Sequence, residues 1–316
     1  MSFLTKYGTI WGAIPSTAGR VFWVSAGDTT IVDGNTVSAS DNHDGLSPER
    51  PCRSINYVID NLVKANAGDV VVLLPGTHTP QNASGTATSV AMDLAGVTLM
   101  GLPGGRGNYR RQKTVIAAVT TDQNINVTAA DCEIAYLHFI PVSTDSAIDA
   151  SADADRLHIH NCSFDMETPA ADTGTIGIDF IGAASDILIE DCFFVSDGAQ
   201  GAAIVVGATL GFEVRNCSFH CSGGTWVSSM TQAAAGRELL IRDCDWTIGN
   251  GVITNGCLGT TSGEVSQVAM YRCVQPDSMT KILDGYDAGD AEIMETYAAE
   301  LGAGGTAGGT LVLATT

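Results

Sequence analysis

A motif of the form apolar-x-apolar-x-x-Cys-x-aromatic returns along the middle of the chain, and few folds can accommodate it. It reads Leu157, Ile159, Cys162, Phe164; then Ile187, Ile189, Cys192, Phe194; then Phe212, Val214, Cys217, Phe219; then Leu239, Ile241, Cys244, Trp246. A fading fifth copy is Val268, Met270, Cys273, and Cys132, Ile134, Leu137, Phe139 fits upstream with Leu in the Cys slot. Val97, Leu99, Leu102 is a candidate for a still earlier copy. From Leu137 the slots are spaced by 25, 30, 25, 27 and 29 residues. A period of that size marks a solenoid whose units bury their apolar faces only by stacking.

Alternation within each copy points the two leading apolar residues to one side of a short strand. Tyr136, Asn161, Asp191, Asn216, Asp243 and Arg272 stand one residue before the Cys slot, and four of these six are Asn or Asp. Those types best tolerate a left-handed backbone, which places a bend there. One coil is then strand, bend, strand, variable loop and a third strand such as Thr175–Ile178. Parallel coils stack about 4.8 Å apart, so equivalent side chains form ladders. The expected core ladder is Cys162, Cys192, Cys217, Cys244 and Cys273 beside Phe139, Phe164, Phe194, Phe219 and Trp246. A disulfide wants Cβ atoms about 3.8 Å apart and pointed together, so side-by-side thiols are expected to stay free, buried and inert.

Pro48 and Pro51 precede Ile55, Val58, Ile59 and Leu62 at helical spacing, and Val70–Leu74 reads as a buried strand before Pro75-Gly76. A helix there can cover the open end of a solenoid. The reading divides the chain into residues 1–40, an arm and incoming strand; 41–80, capping helix and first coil; 81–278, β-helix coils; and 279–316, a C-terminal cap with a short helix over Ala291–Leu301 and a last strand, Leu311–Leu313. The run Asp44–Thr77, with Gly45-Leu46-Ser47-Pro48, a short helix and Gly68-Asp69-Val70-Val71-Val72-Leu73-Leu74-Pro75-Gly76-Thr77, resembles the opening of pectin-lyase-like right-handed β-helix proteins. The Asn161-Cys162-Ser163-Phe164 and Asp191-Cys192-Phe193-Phe194 rungs resemble that superfamily's coils. The resemblance spans about residues 41–275 and implies an all-β, single-stranded right-handed parallel β-helix; it speaks to fold rather than activity. Thr5-Lys6-Tyr7-Gly8 with Gly19-Arg20-Val21-Phe22-Trp23-Val24 resembles, less specifically, virion proteins of marine tailed phages.

The formal charge of −20, with only 15 Lys plus Arg, argues against nucleic acid and anionic membranes as partners. No apolar run reaches membrane-spanning length, and Met1–Lys6 lacks a secretory signal's features, so synthesis in a host cytoplasm is expected. Nine cysteines without a Cys-x-x-Cys suit neither a complete disulfide framework nor a zinc ribbon.

The resemblance directs a search for glycan-cleaving machinery. Polygalacturonase-like members carry closely paired aspartates, a Gly-His-Gly and then an Arg-x-Lys. The first two are missing, and Arg111-Gln112-Lys113 reads as a basic loop. Lyase-like members need a basic residue beside calcium-binding carboxylates. Arg215 and Arg242 share an outward slot near Glu190 and Glu213, which reads as a surface ion-pair ladder. Asp149 and Asp179 lie one coil apart and could approach the separation of a retaining glycosidase pair, but Asp after a strand more often caps a turn or is solvated. His158 and His160 share an outer face, with His138 near the rung before. With no third ligand repeating at the required place, they read as polar surface. No P-loop, nucleophile elbow or dinucleotide fingerprint is present.

The sequence thus leads to no catalytic residue, no cofactor and no metal. It favours a non-enzymatic structural protein of a tailed-phage virion, most simply a capsid decoration or head-surface protein. Phe3, Tyr7 and Trp11 would anchor the arm to a capsid or other virion protein, and Leu188, Phe193, Leu240 and Tyr271 would form an outer self-association face, by resemblance a homotrimer. The alternative is a tailspike or receptor-binding β-helix that binds or cleaves polysaccharide.

Overall fold

The computed structural model describes residues 19–27, 30–32, 35–81, 85–103, 114–117, 123–141, 145–167, 175–196, 202–223 and most of 225–276, with short strands at 283–284, 291–294 and 297–299. Three long sheets hold nearly all of this backbone, with ten, nine and eight strands, and every neighbouring pair in them is parallel. The chain therefore winds as a right-handed parallel β-helix, each coil adding one strand to each sheet. The ten-strand sheet takes the leading apolar pair of the repeat, as in His158–His160, Ser185–Glu190 and Leu210–Arg215. The nine-strand sheet takes the aromatic, as in Ser163–Asp165 and Phe193–Ser196. The eight-strand sheet takes the third strand, as in Ser146–Ala150 and Ile176–Phe180. Among the described residues, no helix is long and apolar enough to cross a membrane.

The bend between the first two sheets is a single left-handed residue repeated up the axis. Tyr136, Asn161, Asp191, Asn216, Asp243 and Arg272 all have φ between 48° and 57°. Asn and Asp enter this region at the least cost, while Tyr136 and Arg272 are held there by the stacked coils on either side. A second left-handed set stands where the chain enters the ten-strand sheet, at Asp131, Arg156, Asp186, Gly211 and Glu238. Residue type marks this set less clearly than the first, because Arg156 and Glu238 have no preference for a left-handed backbone. It has a visible consequence at Gly211, whose φ of +69° resets the alternation of faces. Leu210, which strand parity would place inward with Phe212, is 48% exposed.

Inside, the ring stack runs Phe139, Phe164, Phe194, Phe219, Trp246. Successive centroids are 5.0, 4.6, 5.1 and 5.1 Å apart and the planes tilt by no more than 11°. The strand spacing sets that repeat, and it falls within the range for favourable aromatic pairs. Trp246 ends the run and donates its indole N–H to Ser229 Oγ at 2.7 Å, so the buried polar atom is satisfied. Beside the rings lie Cys162, Cys192, Cys217, Cys244 and Cys273, all buried and free. Each thiol reaches back across the bend to the carbonyl two residues earlier, at 3.3 Å in every copy. A small polarizable group that fills the corner and weakly donates to a crowded carbonyl accounts for Cys in this slot. Burial pushes the Cys192 and Cys244 thiols well above the ordinary thiol range, so they stay protonated. In the native protein a maleimide reagent should modify none of the five ladder thiols within hours, and all of them in denaturant. Rapid native labelling of several would contradict the ladder.

The N-terminal end is closed by helix α1, Ile55–Asn61. Ser54 caps it, its hydroxyl accepting from Tyr57 N, while Ile55, Val58 and Ile59 enter the same core as Phe22 and Val24. The incoming strand Val21–Val24 pairs in register with Val70–Leu73, so residues 19–24 belong to the solenoid itself. Two expectations change. Ala291–Met294 and Tyr297–Ala299 are strands paired with Ser266–Tyr271 and Val274–Pro276, not a terminal helix, because the stacking edge of the last coil offers unpaired backbone groups that a strand satisfies. Leu102 packs with Trp23, Val70 and Met100 in a separate cluster rather than in the Cys-slot ladder. Leu311–Leu313 and the arm residues Phe3, Tyr7 and Trp11 lie outside the described residues, as do Arg111–Lys113.

Candidate functional site

The eight-strand sheet brings Asp149 and Asp179 directly opposite each other on adjacent strands. The strands are about 4.8 Å apart, so two like charges share one patch. Their inward neighbours Ile148, Ile178, Ala150 and Phe180 are buried in the core, which turns both carboxyl groups outward. Asn126 continues the ladder below Asp149 and Val205 above Asp179. The two environments differ. The Ser146 hydroxyl donates to Asp149 Oδ1, which favours the ionised form there, although burial still raises that group's pKa. Asp179 is pushed up to about 6 by burial and by the charges of Asp149 and Asp145. Burial and the Asp145 charge thus raise both carboxyls, and the Ser146 hydrogen bond offsets part of that at Asp149 alone, an inequality of the kind that acid–base pairs use.

That shift has a sign in stability. The folded chain holds the Asp179 proton between about pH 4 and 6, where an unfolded chain with the ordinary value of 3.8 releases it. The group's contribution is therefore complete below pH 4 and is lost as pH rises through 6. Asp179→Asn should raise the melting temperature at pH 8 and leave it nearly unchanged at pH 4. An equal shift at both values would contradict the buried, like-charged setting.

The ten-strand sheet carries a second polar array. Arg215 bridges Glu190 and Glu213, at 2.5 and 3.6 Å, and Arg242 meets Glu213 at 2.7 Å, the ion-pair ladder read from the outward slots. Next to it, His158 Nε2 lies 2.8 Å from Glu190 Oε1 and His160 Nε2 lies 2.8 Å from Glu133 Oε1. The two imidazoles stack with centroids 4.4 Å apart. Burial opposes ionisation of Glu190, but hydrogen bonds from Arg215 and His158 win and hold it below the ordinary carboxylate range. Glu133, His158 and His160 could together hold a metal ion. His138 stands apart from them on the nine-strand sheet, bonded to Ser163 Oγ at 2.7 Å.

Of the expected outer apolar face, Leu188, Leu240 and Tyr271 are half-buried. Phe193 is a correction: it is 5% exposed, between Ser163 and Ser218 in register, small neighbours that leave a ring room to lie against the sheet. Among the described residues the exposed large apolar groups are Leu46, Ile140, Ile181, Leu210 and Val274. Ile181, two residues beyond Asp179, is the most exposed of them at 63%.

By sequence, no protein-family model and no curated protein matches the chain. By structure it is similar to a pectin methylesterase from Aspergillus niger, with a TM-score of 0.54 and 14% identity, over 91% of this chain and 87% of that one. It is similar to the pectin methylesterase PemA from Erwinia chrysanthemi, with a TM-score of 0.54 and 12% identity, over 92% of each chain. A pectin methylesterase in complex with a hexasaccharide superposes with a TM-score of 0.55 at 12% identity over the same shares. The expectation of a non-enzymatic chain is corrected here: the three solved structures just named, which share its fold over more than nine-tenths of the chain, are pectin methylesterases. The absence of the polygalacturonase-like and lyase-like residue sets does not exclude another catalytic arrangement. In its architecture the chain is a right-handed parallel β-helix, the fold it shares with these pectin methylesterases.

Proposed function

We propose that the chain is a glycan-cleaving β-helix protein of the tailspike kind, with Asp149 and Asp179 as its carboxyl pair. The observation that carries this reading is their placement in register on adjacent strands with unequal environments. Retaining glycosidases hold their two carboxyls about 5–5.5 Å apart, close to one strand spacing. Asp179, protonated below about pH 6, serves as general acid to the leaving oxygen. Asp149, supported by Ser146, is the nucleophile. Asp145 adds a third negative charge at the same patch, which repels uronates and favours a neutral or ester-capped sugar at the cleavage point.

The particle setting belongs to the same proposal. It rests on the resemblance of Thr5–Gly8 and Gly19–Val24 to phage virion proteins, on an apolar arm for docking to another virion protein, and on Leu188, Leu240 and Tyr271 for trimer assembly. A non-enzymatic capsid-decoration role is set aside together with the expectation of a non-enzymatic chain. The test is incubation with host-derived neutral glycans, reading reducing ends. Release that disappears in Asp149→Asn and Asp179→Asn supports the reading. Release that survives both substitutions, or methanol or acetate release without new reducing ends, would replace it.

A further inference from the structure

We propose that Glu133, His158 and His160 form a binding site for a divalent transition metal of the zinc class, on the outer face of the ten-strand sheet. The fold builds this cluster from two strands. His158 and His160 are two apart on one strand and so share a face, and Glu133 stands in register with His158 on the strand below. Opposite His160 in that register is Ala135, whose small side chain leaves the imidazole free to lean toward Glu133. The three ligand atoms all lie within 4.8 Å of one another. Two nitrogens and one carboxylate oxygen are a donor set that zinc takes with a fourth position open to water.

The surrounding groups are the kind that orient metal ligands. Thr98 Oγ1 donates to Glu133 Oε2 at 2.9 Å, fixing the carboxylate from the coil below. The Asn161 amide lies 2.9 Å from His160 Nδ1. With metal on Nε2 the imidazole carries its one proton on Nδ1, and the amide, turned over, accepts it through oxygen. On the other side Glu190 meets His158 and is itself held by Arg215, so a second carboxylate is anchored next to the site. Tyr136 packs edge-on against His160, with ring centroids 5.5 Å apart, and limits its rotation. The side chains of Glu133, His158 and His160 are 26%, 33% and 13% exposed, enough for an ion to enter from solvent without opening the solenoid.

The site lies on a different sheet from Asp149 and Asp179, so it stands or falls independently of glycan cleavage. Untagged, chelator-stripped protein is titrated with Zn²⁺ alone against a chromophoric chelator, and separately with Co²⁺. The expected result is one saturable zinc equivalent per chain and a tetrahedral or five-coordinate Co²⁺ visible spectrum without a thiolate charge-transfer band. Thr98→Val, which removes only the outer hydrogen bond, should weaken zinc by about 10–100-fold. His158→Gln and His160→Gln should weaken it further, with melting curves showing that each variant is folded. Zinc binding unchanged in both His variants would overturn the assignment. If those variants fail to fold, the wild-type Co²⁺ spectrum decides alone: an octahedral aqueous spectrum that protein does not alter overturns it.

Discussion

Phe194→Ala should cost about 3–5 kcal/mol of folding stability, the range for emptying a fully buried aromatic position. Phe194 is fully buried and lies between Phe164 at 4.6 Å and Phe219 at 5.1 Å, both rings stacked nearly parallel to it. Truncation leaves a cavity whose two flat walls are held by the stacking of their own coils, so the site cannot collapse to recover the lost contacts. In a solenoid the loss also falls on nearest-neighbour coupling, since each coil is stabilised chiefly by the coils above and below. The variant should therefore shift the midpoint of a reversible urea melt, and broaden it if the coils on either side begin to unfold separately. Phe164→Ala should behave similarly, and Trp246→Phe should cost less because a ring still fills the slot. A midpoint change equivalent to under about 1 kcal/mol for Phe194→Ala would mean that the ring stack does not hold the coils together.

The parts of the fold legible in the sequence were those written in residue type. The Cys slot and its aromatic partner repeat in kind, and the bend before the slot is marked by Asn161, Asp191, Asn216 and Asp243. The second bend was not legible, because Arg156 and Glu238 carry no preference for a left-handed backbone and are placed there by their neighbours. Leu210 follows from that omission. Glu133 shows a different limit. It precedes His158 by 25 residues, the same interval that separates Leu137 from Cys162, so the third ligand could have been found by applying the coil spacing to polar positions. For Asp149 and Asp179 the one-coil relation was readable, but the burial and the Ser146 bond that separate their protonation depend on side chains packed in three dimensions.

Removing the proton donor by Asp179→Asn should lower glycan cleavage by about 10²–10⁴-fold, the usual contribution of a positioned acid or base. The wild-type rate should fall as pH rises above 6, because only protonated Asp179 can donate to the leaving oxygen. Asp149→Asn removes the nucleophile and should be at least as damaging. It also removes a neighbouring charge, so Asp179 should then titrate lower than in the wild type while burial still keeps it above the ordinary value. Ser146→Ala leaves both carboxyls in place but withdraws the hydroxyl that favours the Asp149 anion, so it should raise the pKa of Asp149 and narrow the difference between the two groups.

The most direct test of the central claim needs no substrate: an NMR pH titration of the aspartate side-chain carboxyls, with assignment by Asp149→Asn and Asp179→Asn. The account predicts that one resonance, absent in Asp179→Asn, titrates near pH 6 and moves to lower pH in Asp149→Asn. An Asp179 carboxyl that titrates near its ordinary value of 3.8, unmoved by Asp149→Asn, would show that the two groups are solvated and independent, and the carboxyl pair would be no site at all.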